Sequence, residues 1–165
     1  MFHIIFKLSK SIIVPVIFII AEAEIKKRKH QELSLIELCC KWFCFWVIGF
    51  GGISVGLMQA LNPAYTANLL KVYAGDMIVI RELGCAQTGI GIIGLLSIRF
   101  HSFRKPAAIS FGIFILGATI IHITRLGSIH IDEIVSLADD VWILGVVALV
   151  ILQKKRILNY TVRVR

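Results

Sequence analysis

Residues 77–96 read MIVIRELGCAQTGIGIIGLL. Inside that run Gly89, Gly91 and Gly94 spell G-x-G-x-x-G, the glycine pattern of a dinucleotide-binding turn. Such a turn works between a strand and a helix, within a βαβ unit, with an acidic residue some twenty positions on. Here the glycines sit in the middle of an apolar run, no strand pattern precedes them, and only the basic loop Arg99 to Lys105 follows. The context fits packing and not a nucleotide. Glycine removes side-chain bulk, so that neighbouring membrane helices can approach closely. At about 100° per residue, Ala86 and Gly89 fall near the face that carries Glu82, and Gly84, Gly91 and Gly94 fall on the other side. Small residues on two faces predict neighbours on two sides. The preceding apolar run offers a matching GxxxG in Gly52 and Gly56, and the following one adds Gly117 to the packing set.

Composition supports a membrane reading of the whole chain. Of 165 residues, 58% are hydrophobic and 17% charged, and the mean hydropathy is +0.85, too little polar surface for a soluble domain of this size. Five stretches approach the roughly 20 residues that a helix needs to cross a bilayer core: Phe2 to Ala21, Leu38 to Leu57, Met77 to Ile98, Ala107 to Leu126 and Ile134 to Leu152. Helix is the default for each, because in lipid every backbone polar group must be paired internally. The expected fold is all-α, a polytopic membrane bundle of four core helices plus an N-terminal hydrophobic helix, five spans in all. The first stretch carries Lys7 and Lys10, with Pro15 further on, so an interfacial helix is the alternative there. One domain is expected: an N-terminal helix at 1–21, a basic cytoplasmic connector at 22–37, the bundle at 38–153 and a basic tail at 154–165.

Basic residues orient such a bundle. Lys26, Lys27, Arg28 and Lys29 fall in the first connection, Arg99, Arg104 and Lys105 in the third, and Lys154, Lys155, Arg156, Arg163 and Arg165 in the tail, whereas the second holds only Lys71 and the fourth none. The basic segments are expected to face the cytoplasm, which places the C-terminus inside and the protein in the inner (cell) membrane. A cleaved signal peptide ending near Ala21-Glu22-Ala23 would leave the KKRK run outside and invert every later loop. The net charge of +8 is explained by topology and by attraction to anionic lipid headgroups. With no recognition fold and no interleaved aromatic pattern, nucleic acid is not an expected partner. The lipid bilayer is, and a membrane protein complex is a second candidate, with the oligomeric state left open. Trp42, Trp46, Tyr65 and Tyr73 fit interfacial aromatic belts.

No catalytic constellation emerges: there is no HExxH, no P-loop and no plausible Ser-His-Asp arrangement. Cys39, Cys40 and Cys44 cluster near one end of the second apolar stretch and Cys85 lies near the other end of the third, with no CxxC, so packing is the expected role of all four. His122, His130, Asp132 and Glu133 are zinc-ligand types without a diagnostic spacing, and no metal or other cofactor is assigned.

Ionisable groups inside the spans carry more information, since charge in hydrocarbon is costly and usually faces a partner or a cavity. Arg81 and Glu82, His122 and Arg125, and Asp139 and Asp140 come from three successive apolar stretches. Alternating helix direction predicts that all six meet at one depth, roughly 6 to 10 Å below the outer surface, with Gln59 beside them. One reading makes this cluster a register-fixing network of ion pairs bridged by a neutral His122. The other makes it a ligand or relay site, binding a lipid headgroup, a quinone ring or a membrane partner, or moving protons through Glu82, His122 and Asp139 or Asp140 in a small transporter.

The segment ANLLKVYAGDMIVIRELGCAQTGIGIIGLL, with FGIFILGATIIHI and LADDVWIL after it, resembles a family of small uncharacterised multi-span membrane proteins, similar in general form to the DoxX-like four-helix proteins. The likeness covers Trp42 to Leu152 and rests on Glu82, Gly84, Ala86, the series Gly89, Gly91 and Gly94, then Gly117-Ala118 ahead of His122, and an aspartate in the last span matched by Asp139 or Asp140. Gln87 stands where that pattern has asparagine. The resemblance implies a four-helix fold and, through DoxX-like kinship, a role as a component of a membrane oxidoreductase complex, although kinship of fold says little about activity.

Overall fold

The computed structural model describes residues 12–31, 34–70, 77–124 and 131–153. Every regular element among them is helical: α1 (Val14–Arg28), α2 (Leu35–Leu61), α3 (Pro63–Leu70), α4 (Met77–Leu96), α5 (Arg104–Thr124, entered through a 3₁₀ turn at His101–Phe103) and α6 (Ile131–Leu152). Four helical segments are long and apolar enough to cross a membrane: Leu35–Leu61, Met77–Leu96, His101–Thr124 and Ile134–Leu152.

The fifth, N-terminal span is not supported. Residues 2–11 of that stretch lie outside the described residues, and the helix beyond them does not stop at Ala21. It continues to Arg28, because Ala, Glu, Lys and Arg are strong helix formers and Glu22–Lys26 (3.6 Å) and Glu24–Arg28 (3.4 Å) pair one turn apart. The described helix is 15 residues long, and charge fills its last two turns. It closes in a Schellman arrangement: His30 takes a left-handed φ of 51°, and the Gln31 and His30 amides donate to the Lys26 and Lys27 carbonyls at 3.0 and 3.1 Å. What reads as a connector at 22–37 is therefore half a helix, a turn and the start of α2. The α2 start is set by Ser34, an N-cap whose hydroxyl accepts from the Glu37 amide at 3.4 Å.

α1 docks on α2 through side chains. Phe18 stacks on Trp42 and Trp46, with ring centroids 4.8 and 5.1 Å apart. Glu22 Oε2 accepts from Lys41 Nζ at 2.7 Å and from Trp42 Nε1 at 2.8 Å. Partial burial alone would raise the Glu22 carboxyl, but the Lys41 ammonium and the indole N–H outweigh it and hold the group below its ordinary value. The polar edge of Trp42 thus serves a helix contact.

Within α2, residues Cys44–Gly51 are π-helical, with α-helix on both sides. The wider i→i+5 winding rotates the later part of α2 relative to its earlier part. Up to and within the π-helical turns, Cys40, Phe43, Cys44, Val47 and Ile48 enter an apolar core with Ala107, Ala108, Phe111 and Ile115 of α5 and Ile143, Val147 and Val150 of α6. From Gly49 onward the helix gives three of its glycines, Gly49, Gly52 and Gly56, to α4.

That second contact is largely backbone on backbone, with the side chains of Ile53, Gln59, Thr88 and Leu95 closing in beside it. A Cβ on Gly94 would lie 2.5 Å from the Gly49 nitrogen, one on Gly91 2.6 Å from the Ile53 nitrogen, and one on Gly84 2.6 Å from the Gly56 carbonyl oxygen and the Ala60 nitrogen. Gly52 and Gly56 meet Gly91 and Thr88 in the same seam, at 3.1 and 2.5 Å. Gly89 and Gly117 have nothing within 4 Å of such a Cβ, and Ala86 is exposed. Of the small residues of α4, Gly84, Gly91 and Gly94 thus form the tight seam with α2, whereas Ala86 and Gly89 stay outside it, and α4 meets α3 and α5 through other residues. α5 and α6 form the other close pair, where a Cβ on Gly112 would lie 2.8 Å from Val147 Cγ1.

Arg104 ties the chain together where α4 hands over to α5. Only 6% exposed, it donates from Nε to the Ser97 carbonyl at 3.5 Å, and its Nη1 lies 3.9 Å from Glu37 Oε1. This is the basic end of the bundle, where α2 and α5 begin and α4 and α6 finish. The apolar core fills the half nearest to it; apart from Ser97 and Arg104 at that end, the buried polar residues (Gln59, Thr66, Gln87, Thr119 and Asp140) lie farther along the helices.

Candidate functional site: a buried polar layer

Asn62 and Pro63 start α3, the Asn62 side chain accepting from the Tyr65 amide at 3.2 Å and proline taking the first helical position. α3 packs against the last turns of α2 and on α4, which buries Thr66 and Ala67. Gln59 of α2 and Gln87 of α4 are buried as well, 7% and 5% exposed. The glycine seam fixes their register: the Gln59 Cβ is 2.9 Å from where a Gly84 Cβ would stand, and Gln87 is one turn further along α4, its carbonyl 3.5 Å from a Cβ on Gly52. Both Oε1 atoms, and Thr66 Oγ1, are buried without a hydrogen-bond partner among the described residues. A buried acceptor left unmet costs about 1–3 kcal/mol.

On the other helix pair, His122 of α5 faces Asp140 of α6, with Nε2 and Oδ2 3.9 Å apart. Asp140 is buried, His122 and Asp139 are half-buried, and Thr119, one turn before His122, is buried with its hydroxyl turned back to the Ile115 carbonyl at 2.8 Å.

Two of the six ionisable residues expected in one cluster, His122 and Asp140, are thus placed against each other. Arg81 and Glu82 are exposed on α4, away from the interior, because the face of that helix turned inward is the one carrying Gly84, Gln87, Gly91 and Gly94. Arg125 lies outside the described residues. Sequence reasoning placed Gln59 beside the cluster but gave Gln87 no part beyond its place in a family pattern. Its signal was its spacing: Gly84, Gln87, Gly91 and Gly94 follow the three- and four-residue steps of one helical face. Cys40 and Cys44 are buried in the apolar core, where Cys44 Sγ lies 3.9 Å from the Arg104 carbonyl; Cys39 is half-buried and Cys85 exposed. Among the described residues no three His, Cys, Asp or Glu side chains gather as metal ligands.

The described residues form an all-α bundle with four helices suited to a membrane, with buried polar side chains along the α2–α4 seam and between α5 and α6. The chain belongs to a family of unknown function (DUF6790), whose match spans residues 8–156. No curated protein and no solved structure matches it. Membership agrees with the expected uncharacterised family and lends no support to a DoxX-like kinship.

Proposed function

We propose that the chain is a four-span membrane protein, its basic end toward the cytoplasm, that binds a membrane-soluble molecule with a hydrogen-bond-donating head in the polar layer. A lipid headgroup with hydroxyl or ammonium donors and the reduced ring of a quinone share this chemistry. The observation that carries the reading is the two buried amide oxygens on Gln59 and Gln87, which lack donors among the described residues. His122 and Asp140 supply a second polar contact across the bundle. The outward position of Glu82 removes it from a proton relay through the interior, so binding is favoured over conduction.

Native mass spectrometry of protein released from membranes in mild detergent tests this. Wild type should carry a reproducible extra mass that identifies lipid or quinone, and a Gln59→Leu, Gln87→Leu double variant of unchanged thermal stability should lose it. Bare wild-type protein, or an adduct indifferent to both substitutions, would sink the reading.

A further inference from the structure

Among the described residues, the line of α4 opposite the glycine seam meets no neighbour: a Cβ on Gly89 would have nothing within 4 Å. Ile78, Cys85, Gly89 and Leu96 are exposed there and, at 100° per residue, fall within about 20° of one line along the helix. Arg81 lies about 60° to one side of that line and Glu82 about 40° to the other, at nearly equal height. Both are exposed within the apolar helix Met77–Leu96, and neither has an ion-pair partner among the described residues. Two opposite charges astride an apolar line, in a segment suited to a membrane, are left uncompensated by the fold.

The geometry points to a second copy of this chain on that face, in a parallel twofold dimer through α4. A twofold axis along the helix direction carries the left flank of one helix onto the right flank of its mate at the same height. Arg81 of each copy therefore meets Glu82 of the other, and two reciprocal ion pairs form from the charges that each copy leaves unpaired. The line between them is built for close approach, since Cys85 and Gly89 stand four residues apart as a small-xxx-small pair. Self-complementarity decides the occupant: a positive and a negative group mirrored about one line are what a symmetric interface requires, and a different partner would have to reproduce that pattern by chance. The inference is independent of the ligand reading, because these residues face away from Gln59, Gln87 and Asp140.

Cys85 lies close to the proposed axis and serves as the reporter. Mild copper-phenanthroline oxidation of full-length protein in its native membrane should give a covalent dimer that Cys85→Ser abolishes. Glu82→Arg alone should lower the yield severalfold by setting four positive charges together, and Arg81→Glu combined with Glu82→Arg should restore it, since the swapped pair is again complementary. Native mass spectrometry should find two copies in wild type and in the double swap. Absence of a cross-link, a cross-link that survives Cys85→Ser, or equal yields from all charge variants would overturn the dimer and leave Arg81 and Glu82 reaching separately to the headgroup region. Those results would not bear on the adduct measured at the polar layer, so the two readings fail separately.

Discussion

Gly94 of α4 rests on Gly49 of α2 so closely that one methyl group on Gly94 would lie 2.5 Å from the Gly49 nitrogen and 2.8 Å from its Cα. Neither atom can move without moving a helix. Gly94→Ala should therefore destabilise the bundle by about 1–3 kcal/mol, the usual range for overpacking. Gly145→Ala, at an exposed position with nothing within 4 Å, should change stability by no more than ~1 kcal/mol in either direction. Thermal unfolding in detergent, followed by circular dichroism, compares the two; equal losses would mean that the seam is not where the helices are held.

Arg104 is a second point where one residue should outweigh its apparent contacts. Its guanidinium is buried, whereas the Glu37 side chain is 48% exposed and 3.9 Å away. Glu37→Gln should cost under ~1 kcal/mol, as expected for a partly solvated pair. Arg104→Ala should cost more, about 1–3 kcal/mol, since it also strips the Ser97 carbonyl of its donor and opens a gap where α5 begins. The same unfolding assay orders the two, and an equal or reversed order would argue against Arg104 as the tie.

The docking of α1 should respond to acid. The folded-state carboxyl of Glu22 lies below its ordinary value of 4.5, so its pairing with Lys41 and Trp42 stabilises the docked helix at every pH above that value and is lost as pH falls through the lowered one. Trp42 emission should accordingly hold steady from neutral pH down to about 4.5 and change below it. Glu22→Gln should abolish that transition, with Trp42→Phe identifying the signal. A transition unchanged in Glu22→Gln would assign it to another group.

Apolar length was the legible part of this chain: Met77 and Leu152 begin and end helices where hydropathy alone places them. The glycines were readable as a packing code only in part. Gly52 and Gly56 advertise themselves by spacing, but Gly49 joins the seam because of the π-helical turn, and CFWVIGFG is too uniformly apolar to reveal a change of winding. The continuation of α1 was written in EAEIKKRK, where strong helix formers with paired charges read as a connector because charge was weighed ahead of helix propensity. The N-cap at Ser34 was also there to be seen. Arg81 and Glu82 were beyond reach for a different reason. Depth comes from counting residues, whereas direction depends on which face of α4 the glycines claim, and that required knowing which glycines touch α2.

A contact made largely by backbone has few rotamers to exchange. Along the seam from Gly49 to Gly56, α2 and α4 can neither slide nor roll without carbonyl and amide atoms colliding, so mechanically the two helices form one stiff strut. α5 and α6 meet through side chains such as Val147, whose torsions can adjust. Any breathing of the bundle that admits or releases a guest must then be taken up by the α5–α6 pair swinging against a strut that does not bend. Spin-label distances should accordingly be narrow between α2 and α4 and broad between α2 and α6, and a broad α2–α4 distribution would show the strut to be soft.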